Sequence, residues 1–436
     1  MQKAIKKGNP LALLPLGVFL ILFVGTGIVT GDFYKMPVLV AFMIAAASAF
    51  ILGRKQSLNE KINLFCKGAG DSNIILMCMI FLLAGAFSNI AEAMGGVEAT
   101  VNLSLSLIPP NLLVGGIFLI ACFISISMGT SVGTITALAS IGAGIAQMTG
   151  ISLPLILGAI VGGGMFGDNL SMISDTTITA VRTQGCELKD KFKVNFFIVL
   201  PAAVVTLLLL IIMTGQYESI ETEKYSYELI KVVPYVAILI GALAGLNVFV
   251  LLGGGTLFAG LIGVFTGSFT VFEGIEAVAA GIMGMSEIAL LSIIIGGTLA
   301  LIKENGGIDY VLYFITSRIK SKKGAELGIA ALVGAVDVCT ANNTIAIVMA
   351  GPLAKDIAEQ YAIDPRRSAS ILDIFSACFQ GIIPYGAQLL VAAGLGGISP
   401  MEILRYLHYP LLMGLCGILA IVFGFPNLKP KEKNYT

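Results

Sequence analysis

The sequence predicts an all-α polytopic membrane protein built from two inverted repeats. Each repeat has five spans plus a re-entrant hairpin, with broken helices where the hairpins end. Three observations predict this. The 436 residues are 57% hydrophobic and only 12% charged, and the mean hydropathy is +0.94, whereas a soluble domain carries about 25% charge. Apolar runs of about 17–25 residues recur, and the weak alternation of an outer-membrane barrel is absent. Polar motifs also return at a nearly constant offset. Glu92-Ala-Met-Gly-Gly aligns with Lys303-Glu-Asn-Gly-Gly, 211 residues on (92 to 303). Thr130-Ser-Val-Gly-Thr aligns with Thr340-Ala-Asn-Asn-Thr, 210 residues on (130 to 340).

In the first half, apolar runs place spans at Leu11–Thr30, Pro37–Gly53 and Asn73–Ile90. An amphipathic piece follows at Gly95–Pro110. Two apolar arms, Leu113–Ile126 and Ile135–Gln147, flank Ser127-Met-Gly-Thr-Ser-Val-Gly-Thr134. At about 14 residues each they are too short to cross alone, so they are expected to form a re-entrant hairpin. Leu153–Val181 is long but interrupted, and Phe192–Met213 closes the half. The second half is expected to repeat the plan. Its spans are Val232–Leu252, Thr256–Thr270 and Ile288–Ile302, and its amphipathic piece is Gly307–Lys323. Its hairpin tip is Asp337-Val-Cys-Thr-Ala-Asn-Asn-Thr344. Ser370–Ala393 is broken at Gly381-Ile-Ile-Pro-Tyr-Gly-Ala-Gln388, and Ile403–Phe423 closes. The first repeat then covers 1–214, an outside linker 215–228, and the second repeat 229–436. Residues 110–182 and 324–394 form the moving transport unit, with the remaining spans as scaffold.

Charge sets the orientation. The stretches 1–10, 54–67, 182–193, 303–323, 355–367 and 429–433 hold all of the 26 Lys and Arg except Lys35, Lys224, Lys231 and Arg405. By the positive-inside rule these stretches are cytoplasmic, as are both termini, and the acidic stretch 217–228 lies outside. This holds only if both hairpins turn back without crossing. The chain is thus expected as a multi-pass protein of the cytoplasmic membrane, surrounded by lipid. The N-terminal apolar run lacks a cleavage site and reads as a first span. A net charge of zero says nothing about nucleic acid, and no nucleic-acid partner is expected. The 7 cysteines form no CxxC pair, so neither zinc nor disulfides are expected. No cofactor is implied.

The chemistry concentrates in residues 163–179. Asp168 and Asp175 stand among glycines and small polar side chains, Asn169, Ser171, Ser174 and Thr176. An ionisable group inside a membrane costs about 2.5–3.5 kcal/mol on insertion scales, so two here need a purpose. Glycine weakens the helix and frees carbonyls to point inward. Carboxylates, hydroxyls and free carbonyls together suit a hard cation such as Na⁺. A proton would compete with Na⁺ for the same carboxylate, which is antiport chemistry. The alternative for the two aspartates is helix capping. Thr130, Ser131 and Thr134 at the first tip are expected to face them, with Asp168, Asp175, Thr130 and Ser131 holding Na⁺. Thr340, Asn342, Asn343 and Thr344 are the counterpart tip. Asp373 and Gln388 are further binding candidates; Asp337 and Asp373 are candidate titrating groups or partners of Arg366 or Arg367. Gly129-Thr-Ser-Val-Gly133 fits the G-x-S-x-G of some serine nucleophiles. The lone histidine, His408, lies far along the chain, so an intramembrane hydrolase is a remote reading and an enzyme is not expected. Lys and Arg are absent from the four core stretches, which favours bare cations over an organic anion.

Phe166-Gly-Asp-Asn-Leu-Ser-Met-Ile-Ser-Asp-Thr-Thr177 resembles the signature of the NhaC family of sodium/proton antiporters, and Gly129-Thr-Ser-Val-Gly-Thr134 resembles that family's hairpin tip. Val132 stands where the family often has a bulky aromatic, and Met172 where it often has proline. The resemblance implies a member of the ion-transporter superfamily, an elevator-type secondary transporter that forms homodimers and exchanges Na⁺ for H⁺. It also implies an alternative, a Na⁺- or H⁺-coupled exchanger of a small organic acid or amino acid, as in relatives that exchange malate for lactate.

Overall fold

The computed structural model describes residues 7–30, 35–52, 56–107, 109–172, 174–215, 227–244 and 246–428, and among these every regular element is helical. The basic stretch 429–433 and most of the acidic stretch 217–228 lie outside the described residues. Among the described residues, seven helical stretches are long and apolar enough to cross a membrane, including Leu153–Gln184, Leu188–Thr214 and Pro365–Gly396. The chain is a multi-pass membrane protein. Its outward faces are correspondingly apolar: Val250, Leu257, Leu261 and Phe265 form an exposed stripe at helical spacing, a face suited to lipid.

In the first half, helical turns run from Pro10 to Thr30, including α1 (Leu14–Leu20) and α2 (Thr26–Thr30). There follow α3 (Val38–Ile51), α4 (Leu58–Ala69), α5 (Ser72–Ala93) and α6 (Gly96–Leu107). Then come α7 (Pro110–Met128), α8 (Ser131–Thr149), α9 (Leu153–Leu170), α10 (Asp175–Gln184) and α11 (Leu188–Thr214). The second half has α12 (Leu229–Leu243), α13 (Val248–Phe265), α14 (Val271–Gly284), α15 (Ser286–Glu304) and α16 (Gly307–Thr316). It ends with α17 (Lys322–Thr340), α18 (Asn343–Gln360), α19 (Pro365–Ile382), α20 (Ala387–Gly396), α21 (Pro400–Leu404) and α22 (His408–Phe423).

The two halves keep one register. α7, α8, α9 and α10 begin at Pro110, Ser131, Leu153 and Asp175; α17, α18, α19 and α20 begin at Lys322, Asn343, Pro365 and Ala387. Each pair is 212 residues apart (110 to 322). The helix breaks match as well. Gly129 and Ala341 both adopt the left-handed conformation, at φ 69° and 49°. Thr130 and Asn342 follow as extended N-caps whose side chains accept from Gly133 and Ile345. Gly95 and Gly306, at φ 81° and 82°, open α6 and α16.

Three expectations are corrected. The hairpin arms are 19, 19, 19 and 18 residues rather than about 14. At about 1.5 Å per residue such arms approach the thickness of a hydrocarbon core, so arm length does not by itself force re-entry. The reading stopped too early because buried polar residues such as Ser131 and Thr134 continue the helices. In the second half, the run read as Val232–Leu252 and Thr256–Thr270 is cut elsewhere. Asn247 caps α13 through the Phe249 N–H, and a capping box of Thr270 and Glu273 opens α14, a helix that the hydropathy reading left unassigned between two spans. Ser57 and Glu60 build the same box at α4, a segment read only as a basic cytoplasmic stretch. Finally, neither arginine pairs with Asp337 or Asp373. Arg366 bridges Asp364 at 2.6 Å, and Arg367 bridges Glu326 at 2.8 Å, tying α19 to α17.

α9 and α19 form the centre. From Leu155 to Leu170 every residue of α9 is buried, and α9 packs against α7, α8, α19, α20 and α22. The tightest approach is to α7. A Cβ on Gly163 or Gly167 would collide with the carbonyls of Phe118 and Cys122, so the helices meet backbone to backbone. This lets Ser125 donate to the Gly164 carbonyl at 2.6 Å and seats the α7–α8 break beside the end of α9. Gly167→Val should therefore lower the melting temperature, by about 1–3 kcal/mol of overpacking or more, and stop transport. Gly253→Val, where an added Cβ meets nothing within 4 Å, should leave both unchanged. Thermal unfolding in detergent and flux in proteoliposomes check the pair.

Candidate ion-binding site

Asp168 lies in the last turn of α9, three residues before the chain leaves helical geometry at Ser171. It is 8% exposed. Ser131 is the first residue of α8, so its backbone N–H has no partner inside the helix. That N–H reaches Asp168 Oδ2 at 3.0 Å, and the Ser131 hydroxyl reaches the same oxygen at 2.7 Å. From the far side of the break the Ser174 hydroxyl donates to Oδ1 at 2.6 Å. A helix N-terminus favours an anion at this place. Ser174 also contacts the Thr176 hydroxyl at 2.9 Å. The second half completes the cage: Gln388, in the first turn of α20, donates to Ser131 Oγ at 3.0 Å. Its own oxygen accepts from Gln380 Nε2 at 2.8 Å.

Beside Asp168, Asn169 faces a second polar cluster around Asp373, which is fully buried on α19. Asp373 Oδ2 forms an ion pair with Lys191 of α11. It also accepts from Asn169 Nδ2 at 3.0 Å, Asn195 Nδ2 at 3.2 Å and Thr177 Oγ1 at 3.4 Å. The Lys191 ammonium donates further to Thr177 Oγ1 and to the Asn169 carbonyl, both at 2.8 Å. That carbonyl is free because α9 ends there. Ser370 closes the ring onto Asn195.

Sequence reading missed Lys191, Asn195, Thr177 and Gln380. Lys191 was counted among the cytoplasmic charges at 182–193. Its neighbours Lys189 and Lys193 are exposed, as that reading expects, but Lys191 is 1% exposed. The available signal was spacing: Lys191 and Asn195 stand one helical turn apart on one face of an apolar helix. A lysine therefore does enter the core, contrary to the expectation from the four core stretches, and from a helix outside the expected transport unit.

The remaining candidates divide. Asp168, Asn169, Ser131, Ser174, Thr176, Asp373 and Gln388 are brought together. Asp175 does not converge on Asp168: it is exposed at the first position of α10 and hydrogen-bonds to no described residue. There the helix N-terminus suits it and solvates it outside the cage. Thr130 caps α8 with its side chain, and Thr134 donates back to the Thr130 carbonyl at 3.0 Å, so neither points its hydroxyl at Asp168. Thr340, Asn342 and Asn343 likewise make local bonds at the second break, and Thr344 is the second residue of α18. Ser171 donates to the Ile126 carbonyl at 2.6 Å. The Ser131 hydroxyl donates to Asp168 and not to His408, which sits at the start of α22, so the serine lacks a histidine base. Among the described residues no three His, Cys, Asp or Glu side chains cluster as a metal site. A cation here would meet one carboxylate and neutral oxygens.

Removing one member of a buried ion pair strands the other charge and costs about 3–5 kcal/mol. Lys191→Met and Asp373→Asn should each lower thermal stability by that order, and the double variant should recover part of the loss. Independent, additive losses in the unfolding measurement would show that the two do not act as a pair.

The model of the Na⁺/H⁺ antiporter family matches residues 10–215 and 220–428. The malate-2H⁺/Na⁺-lactate antiporter of Bacillus subtilis is 23% identical, covering 94% of this chain and 93% of its own. The Na⁺/H⁺ antiporter NhaC of Alkalihalophilus pseudofirmus is 22% identical over 95% and 94%. The arginine/ornithine antiporter ArcD of Halobacterium salinarum is 23% identical over 84% and 82%. The chain belongs to the Na⁺/H⁺ antiporter family; it is a transporter and not an enzyme.

Proposed function

We propose that the Na⁺/H⁺ exchange of this chain runs through Asp168 and its cage. The observation that carries this is the charge count of the polar centre. Lys191 and Asp373 cancel, so the caged Asp168 keeps a charge with no cationic partner among the described residues. One Na⁺ or one H⁺ neutralises it. The hydroxyls of Ser131 and Ser174 both donate to the carboxylate, and either can rotate to offer a lone pair to Na⁺. Na⁺ and H⁺ then exclude each other at one group. Crossing with the carboxylate bare would carry an unpaired charge through the membrane, at a cost of several kcal/mol, which couples the two fluxes.

Alternating access is read from the repeat. With the cytoplasmic Lys and Arg clusters inside, the α7–α8 and α17–α18 pairs open to opposite faces, and the halves are inverted. α7 to α10 and α17 to α20 interlock around the cage, and we take them as the moving unit. Lys191 brings α11 with them.

An organic-solute exchanger is the competing reading, because relatives carry malate/lactate and arginine/ornithine names. The core lysine would favour it only if its charge were free to meet a carboxylate. Asp373 already holds it, so bare cations remain the better fit.

Asp168→Asn should abolish Na⁺-driven proton movement in proteoliposomes while the protein still folds. Ser131→Ala or Ser174→Ala should weaken apparent Na⁺ affinity about tenfold, one charge-assisted bond's worth. Asp175→Asn should change little. Wild-type exchange by Asp168→Asn, read with an internal pH dye, would sink the assignment; flux driven by organic acids or arginine instead of Na⁺ would establish the competitor.

Single cysteines at Met148 and Lys355 in a cysteine-free background test the topology. They should label from outside and inside respectively. Labelling of both from one face rules out inversion.

A further inference from the structure

Asp337 is used by nothing described so far. It is fully buried in the last turn of α17. Both of its carboxylate oxygens lack a hydrogen-bond partner among the described residues, and so does the oxygen of Gln380. Three buried acceptors with no donor are unstable as they stand, because a bare carboxylate at this depth costs several kcal/mol. Gln380 is held close by: its Nε2 reaches the carbonyl of Ala341, 3.3 Å away, and Ala341 is one helical turn past Asp337 and donates its N–H to the Asp337 carbonyl.

The register of the halves gives the position a meaning. Gln380 stands 212 residues after Asp168 (168 to 380), the same offset that relates the helix starts. The second break therefore carries an amide where the first carries its ion-binding carboxylate, and Asp337 supplies the missing acid from the neighbouring helix. The two places are wired together. Gln380 Nε2 donates to Gln388 Oε1 at 2.8 Å, Gln388 Nε2 to Ser131 Oγ at 3.0 Å, and Ser131 Oγ to Asp168 at 2.7 Å.

We propose that Asp337 is a second exchangeable proton site, paired with Gln380 and coupled to Asp168 through Gln388 and Ser131. This rests on the Asp168 reading above. A proton fits better than a second Na⁺, because three free oxygens fall short of the roughly six that a hard cation gathers. Protonation turns the carboxylate into a neutral carboxyl; release returns one H⁺ and one negative charge, with no other bond changed. The ionisable neighbours that sense Asp337 are Cys339 on its own helix, Cys378 of α19, and Tyr385 in the α19–α20 break. α18 runs back antiparallel and carries Lys355, Asp356 and Glu359 at its far end. No described charged group of α15, α16 or α22 pairs with it.

The test is the coupling ratio, measured in proteoliposomes as the pH gradient and voltage that just stop flux under a fixed Na⁺ gradient. Asp337→Asn should lower the number of H⁺ moved per Na⁺ by one and leave apparent Na⁺ affinity unchanged. An unchanged ratio overturns the proposal, and so does an unchanged ratio with Na⁺ affinity reduced tenfold, which would make Asp337 a Na⁺ ligand. Exchange surviving Asp168→Asn would instead remove the reading on which it rests. Should Asp337→Asn fail to fold, the wild-type protein decides. Dicyclohexylcarbodiimide, which attacks protonated buried carboxyls, should modify Asp337 at acid pH and spare it at alkaline pH by peptide mass spectrometry. Equal modification at both, or none at either, overturns the proposal.

Discussion

Everything in this molecule answers to the cost of holding a carboxylate where water is scarce. A helix running unbroken through the membrane uses all its own N–H groups and has none to offer. Breaking α7 from α8 at Gly129 and Thr130 exposes the first N–H groups of α8. The glycine contact between α7 and α9 brings that new helix end to Asp168. The donors that cage the charge are thus a product of the breaks. So is the opposite side of the cage, since Ser174 stands where α10 resumes.

The second buried charge is handled differently. Asp373 is not left to hydroxyls and helix ends but is matched by Lys191. In a low-dielectric surrounding such a pair earns little net stability, yet either member alone would be costly. Its consequence is local: it removes two charges from beside the cage and leaves Asp168 for a monovalent ion to balance. It also fixes α11 to α19 and orients Asn169, which touches the pair with its side chain while Asp168, next in the chain, touches the cage. An event at one carboxylate therefore has a one-residue path to the other.

The 212-residue register explains why the second half takes part at all. Both halves supply a helix break of the same build, but their side chains have diverged. The first break keeps serines and a caged aspartate; the second keeps amides and an aspartate without donors. Gln388 crosses between them. Two similar breaks with different chemistry, joined by one amide chain, make a centre whose two ends need not load in the same way.

The sequence alone determined the membrane class, the interrupted segments 153–181 and 370–393, the two hairpin tips and the placing of Asp168 at a helix break. These are local properties: hydropathy over a span, glycine and hydroxyl density at a break, and the price of charge within an apolar run. It also exposed the repeat, because polar motifs at equal offset are visible without coordinates. It overstated Asp175, since chain proximity to Asp168 says nothing about which way a side chain points after a break. Thr130 and Thr134 were legible as tip residues, but their capping role depends on hydroxyl direction. Only the tertiary structure decided that Lys191 is a core residue. A lysine in a basic cluster looks cytoplasmic until the packing of α11 on α19 buries it against Asp373. The same is true of Gln380 and Gln388, whose bonds to Ala341 and Ser131 join residues 39 and 257 positions apart. Charge pairing and donor supply are long-range quantities, and in a membrane they decide what a carboxylate can do.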